Sequence, residues 1–343
     1  MTQKGPVRVA VIGCGLIARR AHLPAYAASD EAELVAVCSG HLETARAAAE
    51  EFGARTVHRT WEETVADPEV EAVDICAPNA LHAPIAIAAA RAGKHVLVEK
   101  PMAISLDEAD AMLAAARDAG VLLMPAHNMR YLPIHEEVKR QLDEGVIGRP
   151  FVAHGTFLHA GPEEHWGATS DWFWNQEMAG GGALLDLGIH MIDLIRWFIG
   201  RPVLEVTAMT TRVLKPTFAD DNAFVTMRFA GDILANVQAS WTARPVPDRE
   251  ILIHGERGHI AVGRSAAEPL LVRLQDGKGE RTLLPKIPST SPFINPFVDF
   301  VRSIREGTPP RTSGEEGRAS LAVVLAAYES ARTGRVVQMA RSR

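Results

Sequence analysis

The 343-residue chain has only three cysteines, Cys14, Cys38 and Cys76. Their spacing fits no zinc motif, and an odd number makes a poor disulfide framework. Each lies in or just after an apolar strand-like run, which reads as a buried free thiol rather than as chemistry. No metal site is assigned. A large charge of one sign is missing as well: the formal net charge is −6, and nothing electrostatic invites nucleic acid or an anionic membrane. No apolar run reads as long enough to cross a bilayer, and the opening MTQKGPVRVAVIG leads straight into a strand pattern rather than a cleavable signal. The expectation is a cytoplasmic protein with no nucleic-acid or membrane partner. Internal repeats and low-complexity tracts are also lacking. What is present is 47% hydrophobic and 23% charged, too apolar for disorder, and long enough for two domains.

The first part alternates strand and helix. Strand patterns at 7–12, 34–38, 72–77, 95–98 and 121–124 are nearly apolar throughout, and helical patterns at 43–52, 84–92 and 106–119 lie between them. Strands apolar on both faces and separated by helices form a parallel sheet with right-handed crossovers, so the fold class is α/β Rossmann, doubly wound. After about residue 127 the pattern changes. A helix at 134–144 is followed by longer alternating stretches at 151–159, 204–213, 223–229, 233–241, 250–261 and 270–274, joined by short Gly-, Asp- or Pro-containing connections. That describes an α+β domain with a large, mostly antiparallel sheet, interrupted by a helix at 183–198. The expected division is 1–126 for dinucleotide binding and 127–343 for substrate and oligomerisation, with a last helix at 314–333 packing back towards the first domain. Val206, Ala208, Thr210 and Arg212 alternate with Thr207, Met209, Thr211 and Val213, so neither face of that strand reads as simply solvated. A homo-oligomer, dimer or tetramer, packed through this sheet is expected.

Gly13-Cys14-Gly15-Leu16-Ile17-Ala18 is a GxGxxA fingerprint placed directly after a strand and opening a helix. Gly13 permits the tight turn, Gly15 lets backbone N–H groups reach a pyrophosphate, and Ala18 lets helix and sheet approach closely. The diphosphate then meets the positive end of the helix dipole, with Gly13, Gly15, Leu16 and Ile17 as cofactor residues. The second strand normally ends in an acid that hydrogen-bonds the ribose 2′-hydroxyl of NAD. Here Cys38 is followed by Ser39-Gly40-His41 instead. Without that carboxylate a 2′-phosphate is accommodated, with Ser39, His41 and Arg46 as donors, so NADP(H) is favoured over NAD(H). The other reading is that Glu43 or a backbone group serves NAD.

Glu99-Lys100-Pro101 follows the strand at 95–98, at the carboxyl end where ligands bind in open α/β sheets. Pro101 fixes the turn and is a candidate for a cis peptide. Farther on, Asp186, His190 and Asp193 recur at i, i+4 and i+7 in an otherwise apolar helix opened by Gly180-Gly181-Gly182. A buried histidine between carboxylates needs pairing, and pairing raises and orients the imidazole as acid–base work requires. A purely structural Asp–His pair is the alternative.

With these residues the chain resembles the Gfo/Idh/MocA oxidoreductases over nearly its whole length. The likeness includes the glycine loop, Ala77-Pro78-Asn79-Ala80-Leu81-His82, Glu99-Lys100-Pro101, Gly145-Val146-Ile147-Gly148, the Asp186/His190 helix and a C-terminal helix before Gly334. The resemblance implies that Lys100, Asp186 and His190 are catalytic. His190 would exchange a proton with a substrate hydroxyl, Asp186 would support it, and Lys100 would contact substrate and nicotinamide. It also implies that Ala77, Pro78, Asn79, His82 and Glu99 line the cofactor, and Ser39-Gly40 is similar to the NADP-binding form of some relatives. Where many relatives carry Trp-Arg, this chain has Trp172-Phe173, so a contact from that arginine is lost.

His154, His159 and His165 lack an acidic cluster and the spacing of a metal site. Trp166, Trp172 and Trp174 either stack on a sugar's apolar face or fill the domain junction, and Trp172 is taken as a substrate residue. The expected activity is hydride transfer between nicotinamide and a carbinol carbon of a sugar, cyclitol or related polyol. Two rivals remain at this level: glycoside cleavage through transient oxidation by a tightly held NAD, and a non-catalytic sensor that kept the fold.

Overall fold

The structure is a computed structural model and describes residues 5–245, 248–264, 268–276, 279–287 and 295–339. Short runs apolar on both faces build the first sheet: β1 (Val7–Ile12), β2 (Ala32–Cys38), β3 (Thr56–His58), β4 (Ala72–Ile75), β5 (His95–Val98) and β6 (Leu123–Pro125). All pair in parallel in the order β3-β2-β1-β4-β5-β6. This is the doubly wound dinucleotide-binding order, in which strand order reverses beside β1 and the carboxyl ends of β1 and β4 flank the crevice. The helix Leu106–Ala119 starts at Ser105, whose hydroxyl accepts the Glu108 N–H, and stops at Gly120 in the left-handed region (φ 67°).

The second sheet holds β7 (Pro150–Leu158), β8 (Val203–Thr211), β9 (Asn222–Phe229), β10 (Ile233–Ser240), β11 (Ile251–Gly255), β12 (Gly258–Val262), β13 (Leu270–Asp276), β14 (Gly279–Leu283) and β15 (Val337–Gln338). Its order is β14-β13-β12-β11-β7-β10-β9-β8-β15, antiparallel except for the β7–β10 pair. β9 shows why: its alternate residues Ala223, Val225, Met227 and Phe229 are buried, while Phe224, Thr226 and Arg228 face outward. The helix Ile189–Ile199 packs on the inner face, where Gly155 of β7 lies close to Met191 and Ile195.

By its internal contacts the chain divides into two compact units. One is Met1–Asn128 with Glu177–Gly180 and Ser291–Ala319; the other is Met129–Gln176 with Gly181–Thr290 and Ser320–Arg343.

Three expectations need correction, and some elements were not anticipated. The run 250–261 is a hairpin of two strands, β11 and β12, because Glu256-Arg257 turns the chain. There a Cβ on Gly258 would meet the Arg273 carbonyl at 2.0 Å. The helix expected at 183–198 opens with a π turn, Leu184–Gly188, before its α-helical part. Strand β3 and the helix Trp61–Ala66 are too short to have been anticipated, whereas the helix Asn295–Glu306, with Phe297, Phe300 and Val301 at helical spacing and buried, was passed over despite its periodicity. The stretch Gln176–Ile199 is long and apolar enough to cross a membrane by length and composition, contrary to the expectation, but 83% of its apolar window is buried in the fold. It is a core helix.

Candidate active site

In the first unit the backbone builds the dinucleotide edge. Gly13 leaves β1 at φ 100°, and a Cβ there would lie 2.5 Å from the Cys76 carbonyl, so the turn can pass under the end of β4 only as glycine. Gly13 N–H donates to the Cys38 carbonyl at 2.8 Å, tying the loop to β2. Gly15, by contrast, has nothing within 4 Å of its Cβ position, which leaves its backbone open to a diphosphate. Leu16 and Ile17 start the following helix with 38% and 37% of their surfaces exposed, and the helix contains a π turn at Ala18–His22. Beyond β2, Ser39 is half-buried and Gly40 and His41 are exposed. Arg46 pairs with Glu43 at 2.8 Å in full solvent. Such a pair is weak and readily rearranged.

After β4, Pro78 leads into the short turn Asn79–Leu81, and Asn79 Nδ2 donates to the Ala179 carbonyl at 2.8 Å. His82 is fully buried, its two ring nitrogens 2.8 Å from the Ala77 and Pro101 carbonyls. Burial pulls its pKa down, against the two carbonyls that favour the charged ring. His82 therefore clamps the ends of β4 and β5 together. Lys100-Pro101 is a cis peptide, and Lys100 is half-buried at the carboxyl end of β5.

Beneath this edge lies a polar cluster that sequence reasoning missed. His22 Nδ1 is 2.8 Å from Asp74 Oδ2, and its Nε2 is 3.0 Å from Glu99 Oε1. Tyr26 donates its hydroxyl to Asp74 at 2.9 Å, and Glu99 Oε2 accepts the Lys100 N–H at 3.0 Å. Burial alone would push His22 down, but the Asp74 carboxylate holds it well above its ordinary value, and with a carboxylate on each ring nitrogen the ring is an imidazolium. Glu99 is held below the usual carboxylate range: burial opposes this, and the His22 hydrogen bond and charge overcome it. His22, Asp74 and Cys76 gather donor atoms within 4.8 Å of one another, yet each is hydrogen-bonded inside the cluster. Burial pushes Cys14 up to about 12 and raises Cys76, so both are protonated thiols rather than nucleophiles.

In the second unit Asp186 sits half-buried on the π turn and His190 four residues on, 8% exposed. A π turn within a helix is a frequent mark of a functional site. A Cβ on Gly188 would meet Leu184 at 2.6 Å and Ala239 at 3.4 Å, so glycine allows the helix to lie close on β10. Trp241, just past β10 and 1% exposed, donates its indole N–H to Asp186 Oδ2 at 3.2 Å. Asp193, one turn beyond His190, is held by long-range partners. Its carboxylate takes a bidentate pair from Arg130 at 2.7 Å and a hydrogen bond from Ser320, all buried, which anchors the helix. Asp220 fixes the helix start, accepting the Leu184 N–H at 2.8 Å and the Tyr328 hydroxyl at 2.7 Å.

The profile of an oxidoreductase family with an NAD-binding Rossmann fold matches residues 7–127, and that of the GFO/IDH/MocA C-terminal domain matches 135–261. The chain belongs to the Gfo/Idh/MocA oxidoreductases. It is 32% identical to the 1,5-anhydro-D-fructose reductase of Ensifer adhaerens over 97% of its length and 98% of that protein. It is 31% identical to the D-apiose dehydrogenase of Paraburkholderia graminis over 96% of its length and 89% of that protein. Among solved structures, levoglucosan dehydrogenase in complex with NADH and levoglucosan superposes with a TM-score of 0.87 and 30% identity, covering 97% of this chain and 99% of that one.

Within this Gfo/Idh/MocA chain the remaining aromatic candidates separate. Trp172 stacks on Phe173 with ring centroids 3.9 Å apart, and Trp174 meets Trp241 edge-on at 5.8 Å. Trp166 packs on His165, which stacks on the buried His159 at 4.5 Å. The Gly161 N–H donates to His159 Nδ1, fixing the neutral tautomer with its proton on Nε2. His154 lies instead against Asn236 on the sheet, so the three histidines do not converge.

Proposed function

We propose that this enzyme is a dehydrogenase or reductase acting on a carbinol carbon of a sugar, cyclitol or related polyol. The observation that carries the reading is a set of titratable groups that dinucleotide binding does not require: Lys100 at the end of β5, and Asp186 and His190 four residues apart on a buried helix. The substrates in the relatives' names, an anhydro-sugar, a pentose and inositol, support the substrate class. Residues 1–126 would hold the cofactor, and 127–343 the substrate and the assembly interface. Gly13, Gly15, Leu16 and Ile17 would receive the diphosphate, with Ala77, Pro78, Asn79 and Glu99 lining the cofactor and His82 acting through the two carbonyls it clamps. When bound, the nicotinamide accepts or returns the hydride. In the oxidative direction His190 takes the hydroxyl proton and the Lys100 ammonium steadies the forming alkoxide. Asp186 keeps the imidazole oriented and favours its protonated form. Trp172 would offer the substrate the ring face that Phe173 leaves open.

NADP(H) is the preferred cofactor in this reading, because residues 39–41 present no carboxylate to a 2′-phosphate and Arg46 is held only by an exposed pair. Titration of both cofactors by fluorescence quenching tests this; tighter NAD(H) binding, or an unchanged preference in Ser39→Asp, removes it. A cytoplasmic homo-oligomer completes the proposal. Met209 opposite Phe224, and Leu234 opposite Val152, leave exposed apolar pairs on the open face of the sheet, as an interface between copies would. A panel of sugars and polyols followed at the NAD(P)H absorbance tests the activity. Reduction coupled to one class of polyol is expected, and cofactor retained through gel filtration with no net reduction during turnover would contradict it.

A further inference from the structure

We propose that Trp241 is a positioning residue for the reaction, holding the Asp186 carboxylate through its indole N–H so that Asp186 faces its task in one orientation. The proposal rests on the reading of Asp186 given above.

Trp241 is among the largest fully buried side chains, yet it is not an ordinary core aromatic. A buried indole N–H must find an acceptor, or its desolvation is uncompensated. Phenylalanine would supply an apolar aromatic ring without that demand. The acceptor here is one oxygen of Asp186, at 3.2 Å. Trp241 is in turn fixed from two sides. Its backbone N–H donates to the Asp221 carbonyl at 2.8 Å, and Trp174 packs edge-on against its ring at an interplanar angle of 85°. The close packing of Gly188 on Ala239, two residues before Trp241, sets the spacing between β10 and the π turn that makes the hydrogen bond possible.

A carboxylate on a π turn has two oxygens and free rotation about its last torsion. A donor-only partner such as the indole N–H, which cannot itself accept a proton, restricts that rotation without competing in acid–base exchange. Trp174 belongs to the turn Asp171–Trp174, beside the Trp172–Phe173 stack. A disturbance of that turn therefore reaches Asp186 through one ring contact and one hydrogen bond. Trp174→Ala acts in the same direction as loss of the indole N–H, and more weakly.

The test is a double-mutant cycle on the full-length enzyme, using the polyol identified by the panel and saturating cofactor. Trp241→Phe keeps an aromatic ring and removes the donor together with part of the ring's volume. A hydrogen bond to a charged group corresponds to a loss of about 10- to 160-fold in kcat, with KM and cofactor Kd changed less than about threefold. In an Asp186→Asn background the same substitution should have almost no further effect, because the oriented charge is already gone. Benzothienylalanine at position 241 replaces N–H by sulfur at nearly constant shape, and serves if Trp241→Phe folds poorly; it should reproduce the kcat loss with a near-native melting temperature. Near wild-type kcat in either folded variant overturns the proposal. So does a full loss that multiplies unchanged onto Asp186→Asn, which would place the effect of Trp241 elsewhere. If Asp186→Asn alone leaves turnover intact, the reading beneath the proposal fails first, and that outcome is distinct from the other two.

Discussion

The cofactor edge of the first sheet and the Asp186 helix of the second unit are built in different ways. Around β1, β4 and β5 the geometry is carried by backbone: a glycine at φ 100° under the Cys76 carbonyl, an open Gly15, and strand ends clamped by His82. The polar side chains there satisfy one another in a closed His22–Asp74–Glu99 cluster, a charged ring between two acids. Along the Asp186 helix the geometry is carried by side chains from distant segments: Trp241 on Asp186, Arg130 and Ser320 on Asp193, Tyr328 and Asp220 at the first turn. The comparison teaches that the cofactor edge should be sensitive to backbone substitutions and the helix to the loss of single long-range partners.

The largest expected effect falls on the helix. Arg130→Ala leaves the Asp193 carboxylate, 2% exposed, without its bidentate partner. Such a loss is worth about 3–5 kcal/mol. Urea unfolding followed by tryptophan fluorescence should register it, and Arg130→Met with Asp193→Leu should recover most of it. A loss below about 1 kcal/mol would mean that the anchor is not where the helix draws its stability. Next come the two glycines, which sharpen the contrast. Gly13→Ala forces a Cβ against the end of β4 at positive φ and should destabilise the first unit by about 1–3 kcal/mol, with dinucleotide binding lost. Gly15→Ala meets no protein atom and should keep its melting temperature while cofactor affinity falls about tenfold or more, which is ~1.4 kcal/mol. Equal melting temperatures for the two would break the distinction.

The last effect is seen only against pH and concerns Asp220. Burial raises its carboxyl to about 6, against the hydrogen bonds from Tyr328 and Leu184 that favour the charged form. The folded state thus holds this proton more tightly than the unfolded chain, whose aspartates titrate near 3.9. The stabilisation is present below about pH 4 and is lost as pH rises to about 6, up to about 3 kcal/mol in all. Asp220→Asn should flatten that part of the stability–pH curve, and an unchanged slope would assign it to other groups.

The same comparison explains what could be read from sequence. The Rossmann order was legible because each strand is a short apolar run and its glycines stand at fixed offsets. Lys100 was legible because it directly follows such a run. The antiparallel sheet was legible from alternation, and the turn at Glu256-Arg257 was signalled by the flanking Gly255 and Gly258 but read through. Asp186 and His190 stood out as polar residues at helical spacing in an apolar stretch. Their supports did not, because Trp241 lies 55 positions from Asp186, and Arg130 lies 63 from Asp193. Spacing set Asp193 on the face shared by Asp186 and His190, but periodicity does not name a residue's partner, here Arg130. Arg130, set between Met129 and Tyr131 in an apolar turn, was the one available sign of a buried pair. His22 had none, since its two acids come from separate strands.

The central claim is that Lys100 and His190 carry chemistry rather than fold. Its most direct measurement is kcat for Lys100→Met and His190→Asn, taken beside each variant's melting temperature and dinucleotide Kd. Lys100→Met should remove about 3–4 kcal/mol of transition-state stabilisation, and His190→Asn should slow turnover about 10²–10⁴-fold, both with near-native cofactor binding. Folded variants that turn over at near wild-type rates would contradict the account and leave the chain a dinucleotide-binding protein whose reaction centre lies elsewhere.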